Sequence, residues 1–185
     1  MDNGAESYRR FLNGDESGLT DVVRLYGDGL LLFLYQIVGN IHEAEDLTEE
    51  TFAKLCLKRP KYRGEASFKT WLYAIARNLA LDLLRKKKRY VLVPPEDAEA
   101  MTAAAREAID PYETNETNLF LRAAMQRLRP DYAQVLTLVY LEDLSIRDTA
   151  KVMRRSVHAV ENLNARAKAA LRKELEKEGY PDENI

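Results

Sequence analysis

Trp71, Asn78 and Arg85 fall on one face of a helix-patterned stretch, together with Ala74 and Asp82, at spacings i, i+3, i+7, i+11 and i+14. An aromatic ring, an amide and a cation in one row suit unpaired nucleotides. Rings stack on bases and cations meet phosphates, while an Asn amide can pair with a base edge. The cation run from Arg85 to Arg89 extends the row, and Lys61-Tyr62-Arg63-Gly64-Glu65-Ala66-Ser67 precedes it as a glycine-containing loop able to cup an extruded base. Trp71 has a second reading, because a lone Trp is more often core.

A second constellation runs from Leu144 to Leu171 in a helix-turn-helix pattern. Leu144, Ile146, Ala150, Val152 or Met153, Val157, Val160 and Leu171 form its expected apolar set, with the small Ala150 permitting close helix approach. The opposite face presents His158, Asn162, Ala165 and Arg166, with Arg155 at the helix entrance, and suits the DNA major groove. An ordinary helical hairpin with a polar face would share this pattern. A third group, Asp46, Glu49 and Glu50, shares one helical face at i, i+3 and i+4. Such acids can dock a basic protein, bind metal or simply be solvated. The two histidines, His42 and His158, lack a Glu three residues before them, which counts against a di-metal carboxylate bundle. No Gly-rich phosphate loop, nucleophile elbow or Cys/His dyad occurs. The expectation is a binding protein with no catalytic residue, no cofactor and no metal.

The elements that position these groups all read as helices. Ser17 to Val38 is one, stopped at Gly39-Asn40. Ala44, Leu47, Thr51 and Leu55 make the apolar stripe of the next, and Phe68, Leu72, Ile75, Leu79 and Leu83 that of a third. Val91 to Asn115 loses periodicity between Pro94-Pro95 and Pro111, as a linker does, with room for a short helix at Thr102–Ile109. Beyond it come a helix near Thr117–Leu128, one capped by the Asp131/Gln134 spacing, one starting at Ser145, and one capped by Ser156 after the turn Arg154-Arg155. The fold class is therefore all-α: two small helical domains, 1–90 and 116–185, joined by an extended acidic linker, 91–115, with the helix-turn-helix in the C-terminal domain.

Charge supports the division. Net charge is only −2, yet residues 61–90 carry nine Lys/Arg against two Asp/Glu, and residues 151–173 carry seven against one. Two separate basic surfaces follow, rather than a uniformly DNA-coating chain. At 46% hydrophobic and 31% charged residues the chain can bury a core and stay in solution. No apolar run approaches the roughly 18 residues of a membrane span. The N-terminus lacks the charged-then-apolar order of a signal peptide. Cys56, the single cysteine, has no internal disulfide partner. Cytoplasmic residence without membrane insertion is the expectation.

The stretches His42-Glu-Ala-Glu-Asp46-Leu-Thr-Glu-Glu-Thr-Phe52, Phe68-Lys-Thr-Trp71-Leu-Tyr-Ala-Ile-Ala-Arg-Asn78 and Leu128-Arg-Pro-Asp-Tyr132, followed by the helix-turn-helix, resemble the extracytoplasmic-function sigma factors of bacterial RNA polymerase, in the sigma-70 family. The resemblance covers nearly the whole chain in the right order. It implies conserved regions two and four, and a promoter-specificity subunit that directs transcription initiation. Asp46, Glu49 and Glu50 would dock on the basic coiled coil of the β′ subunit of core RNA polymerase, whose β subunit is a further partner. Tyr62, Arg63, Ser67, Phe68, Lys69, Trp71, Asn78 and Arg85 would meet the melted −10 element of promoter DNA. Arg155, Ser156, His158, Ala159, Glu161, Asn162, Ala165 and Arg166 would meet the −35 element. The linker would thread the channel later used by RNA, and an anti-sigma factor is an expected partner. The chain departs from the family at Glu49, where Gln is frequent, and at Arg154, where Gly is frequent. Glu161 and His158-Ala159 stand where many members carry a cation or a Gly-Thr pair. Glu161 would repel phosphate or accept from a cytosine amine. Two other readings remain at this stage: a free-standing regulator with a dimerising or sensing N-terminal domain, and a Mg²⁺-dependent enzyme built on Glu43–Glu50.

Overall fold

The computed structural model describes residues 3–90 and 116–177, and among these the regular elements are helices. The segment 91–115, with its expected linker and the Thr102–Ile109 helix, lies outside the described residues. The first unit holds α1 (Asn3–Leu12), α2 (Ser17–Val38), α3 (Ile41–Lys58) and α4 (Phe68–Tyr90). The second holds α5 (Glu116–Arg127), α6 (Pro130–Leu136), α7 (Ile146–Met153) and α8 (Val157–Lys177). Between α6 and α7 the chain widens into a π-helical turn, Thr137–Leu141.

Local chemistry explains most boundaries. Gly39 closes α2 at φ 73°, a left-handed conformation that costs glycine nothing, and its N–H satisfies the Tyr35 carbonyl. Asn40 then caps α3, its side-chain oxygen accepting from the Glu43 N–H at 3.1 Å. Ser67 caps α4 through the Thr70 N–H, Ser145 caps α7 through the Asp148 N–H, and Ser156 caps α8 through the Ala159 N–H. The expected Asp131/Gln134 cap is corrected. The helix starts two residues earlier, with Arg129 at the cap position and Pro130 just inside. Proline's locked φ and missing N–H suit that first position, which leaves Asp131 within the first turn and Gln134 buried.

The predicted stripe Ala44, Leu47, Thr51 and Leu55 is buried throughout, as are Phe68 and Leu72 of the α4 stripe; Ile75, Leu79 and Leu83 are half-buried. These sides meet Leu30, Phe33 and Leu34 of α2. Helix α1 is absent from the sequence expectations. It seats Tyr8 on Phe68 and Trp71, with Phe11 behind Tyr8, and the Tyr8 hydroxyl donates to the Pro60 carbonyl at 2.8 Å. In the second unit Leu144, Ala150, Val152, Met153 and Val160 are buried as expected, while Ile146 and Leu171 are half-buried. Val157 is a correction at 42% exposure: it sits in the first turn of α8, ahead of the buried stripe Val160, Leu163 and Ala167. The two units also touch, α7 lying on α4 and α6 on α2.

Candidate nucleic-acid interface

The loop between α3 and α4 is shaped by its own polar groups. Arg59 ends α3 in the left-handed region at φ 42°, and Gly64 takes φ 75°. The Tyr62 hydroxyl closes the loop by donating to the Ala66 carbonyl at 2.5 Å. Tyr62, Phe68, Trp71 and Tyr8 then make one aromatic cluster with ring centroids 5.3–5.6 Å apart. Beside it opens a cleft of about 420 Å³ lined by Lys61, Tyr62, Arg63, Gly64, Glu65, Ala66 and Trp71, with Lys151 of α7 on its far side. A nucleobase fits such a volume, with a ring wall to stack on and cations at the rim.

Against that geometry the expected −10 residues separate. Arg63 is exposed and Tyr62 and Trp71 are half-buried, so one edge of the cluster faces the cleft. Phe68 is corrected. It is fully buried in the cluster and holds Trp71 and Tyr62 in place instead of offering its ring to DNA. Ser67 is engaged as the α4 cap. Asn78 is half-buried two turns before the cation-rich end of α4, and Arg85 is exposed, paired with Asp82 at 2.9 Å. Lys69 is occupied: its ammonium meets the Glu142 carboxylate at 2.7 Å and donates to the Glu142 carbonyl at 2.8 Å. Lys87 pairs with Glu43, which ties the basic end of α4 back to α3.

The other two faces are simpler. Asp46, Glu49 and Glu50 are all exposed on α3, and among the described residues no cation pairs with them, whereas Glu43 and Glu45 are taken by Lys87 and His42. A free row of three carboxylates is an electrostatic handle for a cationic partner. On α8, His158, Glu161, Asn162, Ala165 and Arg166 are exposed and Ala159 is half-buried. Asn162 lies 3.1 Å from His158 Nε2, and Glu161 lies 3.6 Å from His158 Nδ1. Arg155 reaches Asp131 at 3.6 Å, fixing the helix entrance. Arg154 adopts φ 51°, ψ 48°, the left-handed stop that links α7 to α8.

Three participants escape the sequence. Lys151 reaches the cleft from α7. Glu142 meets Lys69 across 73 positions of chain. Arg77 is half-buried on α4, its Nε buried with no partner, and burial followed by the nearby Arg155 and Arg154 holds its pKa below the ordinary arginine value. Each depends on one unit meeting the other, so no local periodicity marks it.

Residues 22–90 match Sigma-70 region 2, and residues 121–171 match Sigma-70, region 4. The chain is 32% identical over 170 residues to the ECF RNA polymerase sigma factor SigW of Bacillus subtilis, covering 88% of this chain and 91% of that protein. It is 29% identical over 168 residues to ECF RNA polymerase sigma factor SigE of Mycolicibacterium smegmatis, covering 89% of this chain and 65% of that one. Among solved structures, the sigma factor RpoE of Bartonella quintana, in complex with the anti-sigma factor NepR, is similar with a TM-score of 0.65 at 20% identity, over 85% of this chain and 96% of that one. CnrH, in complex with the cytosolic domain of CnrY, gives 0.61 at 19% identity, over 95% and 96%. At those identities the two structures speak for the fold.

Proposed function

The chain belongs to the extracytoplasmic-function sigma factors, and we propose that it serves bacterial RNA polymerase through three separate surfaces. It is a promoter-specificity subunit: it binds core polymerase and directs transcription initiation at promoters with −10 and −35 elements. The observation that carries this reading is the ordered pair of region 2 and region 4 matches over residues 22–90 and 121–171. A free-standing regulator would need no exposed acidic face such as Asp46, Glu49 and Glu50.

In this proposal those three carboxylates seat on the basic coiled coil of the β′ subunit, where opposite charge speeds encounter and fixes orientation. The cleft between Arg63 and Trp71 receives an unstacked base of the −10 element, and Asn78 and Arg85 contact the adjoining strand. Helix α8 enters the major groove of the −35 element, with Arg166 and Asn162 toward base edges and Arg155 toward phosphate. The second unit also meets the β subunit, and an anti-sigma protein holds the chain inactive. The work is done in the cytoplasm and by binding alone, since the chemistry of RNA synthesis belongs to the core. Among the described residues no helix is long and apolar enough to cross a membrane.

Run-off transcription with core polymerase and a promoter library tests this. Transcripts should require both core and this chain, and selected templates should share two short elements. Transcription that is independent of this chain, or template sequences with no shared element, would overturn it.

A further inference from the structure

We infer that the second helical unit is an intramolecular ligand for the −10 face of α4, held there by a latch in which Glu142 clasps Lys69. The inference rests on the nucleic-acid reading of that face. Lys69 spends two of its three N–H donors on Glu142, one on the carboxylate at 2.7 Å and one on the carbonyl at 2.8 Å. The two side chains retain only 28% and 11% exposure, so the pair is partly withdrawn from water, where an ion pair is screened least. A lysine held in this way cannot also meet a phosphate.

The latch has a socket. Glu142 lies over Gly29 of α2, next to the buried Tyr73 hydroxyl. A Cβ added at Gly29 would collide with Glu142 Oε1 and come within 2.6 Å of the Tyr73 oxygen. Helix α2 has room for the carboxylate only because position 29 carries no side chain. A second tie lies alongside, the buried Thr137 hydroxyl donating to Gln36 Oε1 at 2.7 Å. Beyond it, Lys151 of α7 stands at the cleft.

Closure is also opposed. It brings Arg154 and Arg155 up to the half-buried Arg77, where burial, followed by these like charges, holds the guanidinium's pKa below its ordinary value. Attraction at Glu142 and repulsion at Arg77 leave the closed form poised. A polyanionic strand tips the balance toward opening by competing with Glu142 for Lys69.

The test uses the full chain without polymerase. Cys56 and a cysteine introduced by Lys173→Cys, both exposed positions on opposite units, carry a fluorescence-transfer pair. The wild-type protein should show one high-transfer population. Glu142→Lys should abolish it; Glu142→Gln should reduce it less, since an amide oxygen and the backbone carbonyl still accept from Lys69. Gly29→Ala should reduce it, because the Glu142 carboxylate must leave its seat to admit the methyl, although alanine favours the helix; helical circular dichroism shows that each variant is folded. Gly29→Ala carries the affinity arm because it leaves the charge unchanged. Apparent affinity falls with the fraction of chain that is open, so releasing a form populated at about 90% should raise affinity roughly tenfold. The probe is a single-stranded oligonucleotide bearing the −10 element of a promoter that the wild-type holoenzyme transcribes. Unchanged transfer in both Gly29→Ala and Glu142→Lys would overturn the latch. Opening with no gain in affinity would overturn its inhibitory role. If the wild-type holoenzyme initiates at no promoter while the transfer changes persist, the nucleic-acid reading beneath the inference is what has failed.

Discussion

Arg154 offers a measurable test of how the helix-turn-helix is held. It stops α7 at φ 51°, ψ 48°, where the Cβ of an L-residue crowds its own carbonyl. That conformation costs a non-glycine residue roughly 1–2 kcal/mol. Glycine escapes the crowding but loses about 0.5–1 kcal/mol more chain entropy on folding. The backbone bonds of the stop do not involve the side chain: the Arg154 N–H donates to the Lys151 carbonyl at 3.3 Å and the Arg155 N–H to the Ala150 carbonyl at 3.1 Å. Arg154→Ala keeps the Cβ and removes a charge from beside Arg77, so it reads only the relief of repulsion. Arg154→Gly removes the Cβ as well. The glycine variant should therefore exceed the alanine variant by roughly 0.5–1 kcal/mol, a net figure for a left-handed position. For a chain of this size that is a rise of about 2–4 °C per kcal/mol in melting temperature. Urea unfolding with an unchanged slope should give the same difference. A glycine variant no more stable than the alanine variant would refute the strain argument.

Asp46→Lys should weaken core polymerase binding by about 2–5 kcal/mol if the site is buried in the interface, and less at its rim; titration of labelled protein reads it, and unfolding should not change because Asp46 is exposed. Asn78→Ala should impair open-complex formation with core binding retained, as scored by strand-melting footprints. Phe68→Ala should instead destabilise the fold by about 3–5 kcal/mol, as loss of a fully buried ring does; unchanged thermal unfolding would contradict its burial. For Asp148, burial alone would raise the carboxyl, but hydrogen bonds from Ser145 and Lys151 outweigh it and hold the group below its ordinary value. A carboxyl lowered by folding stabilises above its unfolded value of about 3.9, and that stability is lost as pH falls through the folded value. The stability gap between wild type and Asp148→Asn should be largest near neutral pH and shrink below about pH 4, as followed by urea unfolding across that range.

Caps and stripes were legible because they are local. Gly39, Ser145 and Ser156 act within four residues, and the apolar stripe of α3 repeats at the helical period. Phe68 shows how periodicity can outweigh resemblance: the α4 stripe already places it on the apolar side, and it is buried there despite its place among the expected DNA contacts. Helix α1 carries its signal in only Tyr8 and Phe11, too short a stripe to stand out among charged neighbours. The π turn and the Lys69–Glu142 pair have no local signature, since both are settled by packing between segments far apart in sequence. Spacing put Asp46, Asn78 and Arg166 on polar faces and resemblance named their partners; Asp46 and Arg166 are exposed and Asn78 is half-buried, which assigns no partner.

The π turn has a consequence for insertions and deletions. Across Thr137–Leu141 the Glu142 N–H reaches back five residues to the Thr137 carbonyl, so the helix holds one residue more than an α pitch needs. At the wider pitch five residues turn the chain about as far as four do in an α-helix, so the widening absorbs the surplus residue within one turn. Removing one residue there would restore the α pitch and leave the phase of everything downstream nearly unchanged. Glu142 would keep its reach to Lys69, and Leu144, now 7% exposed, would stay in the core. The same deletion in a regular helix would turn its downstream part by about 100°. In an alignment of sigma factors, a one-residue gap in this segment would mark loss of the widened turn rather than a new rotational setting of the reading helices.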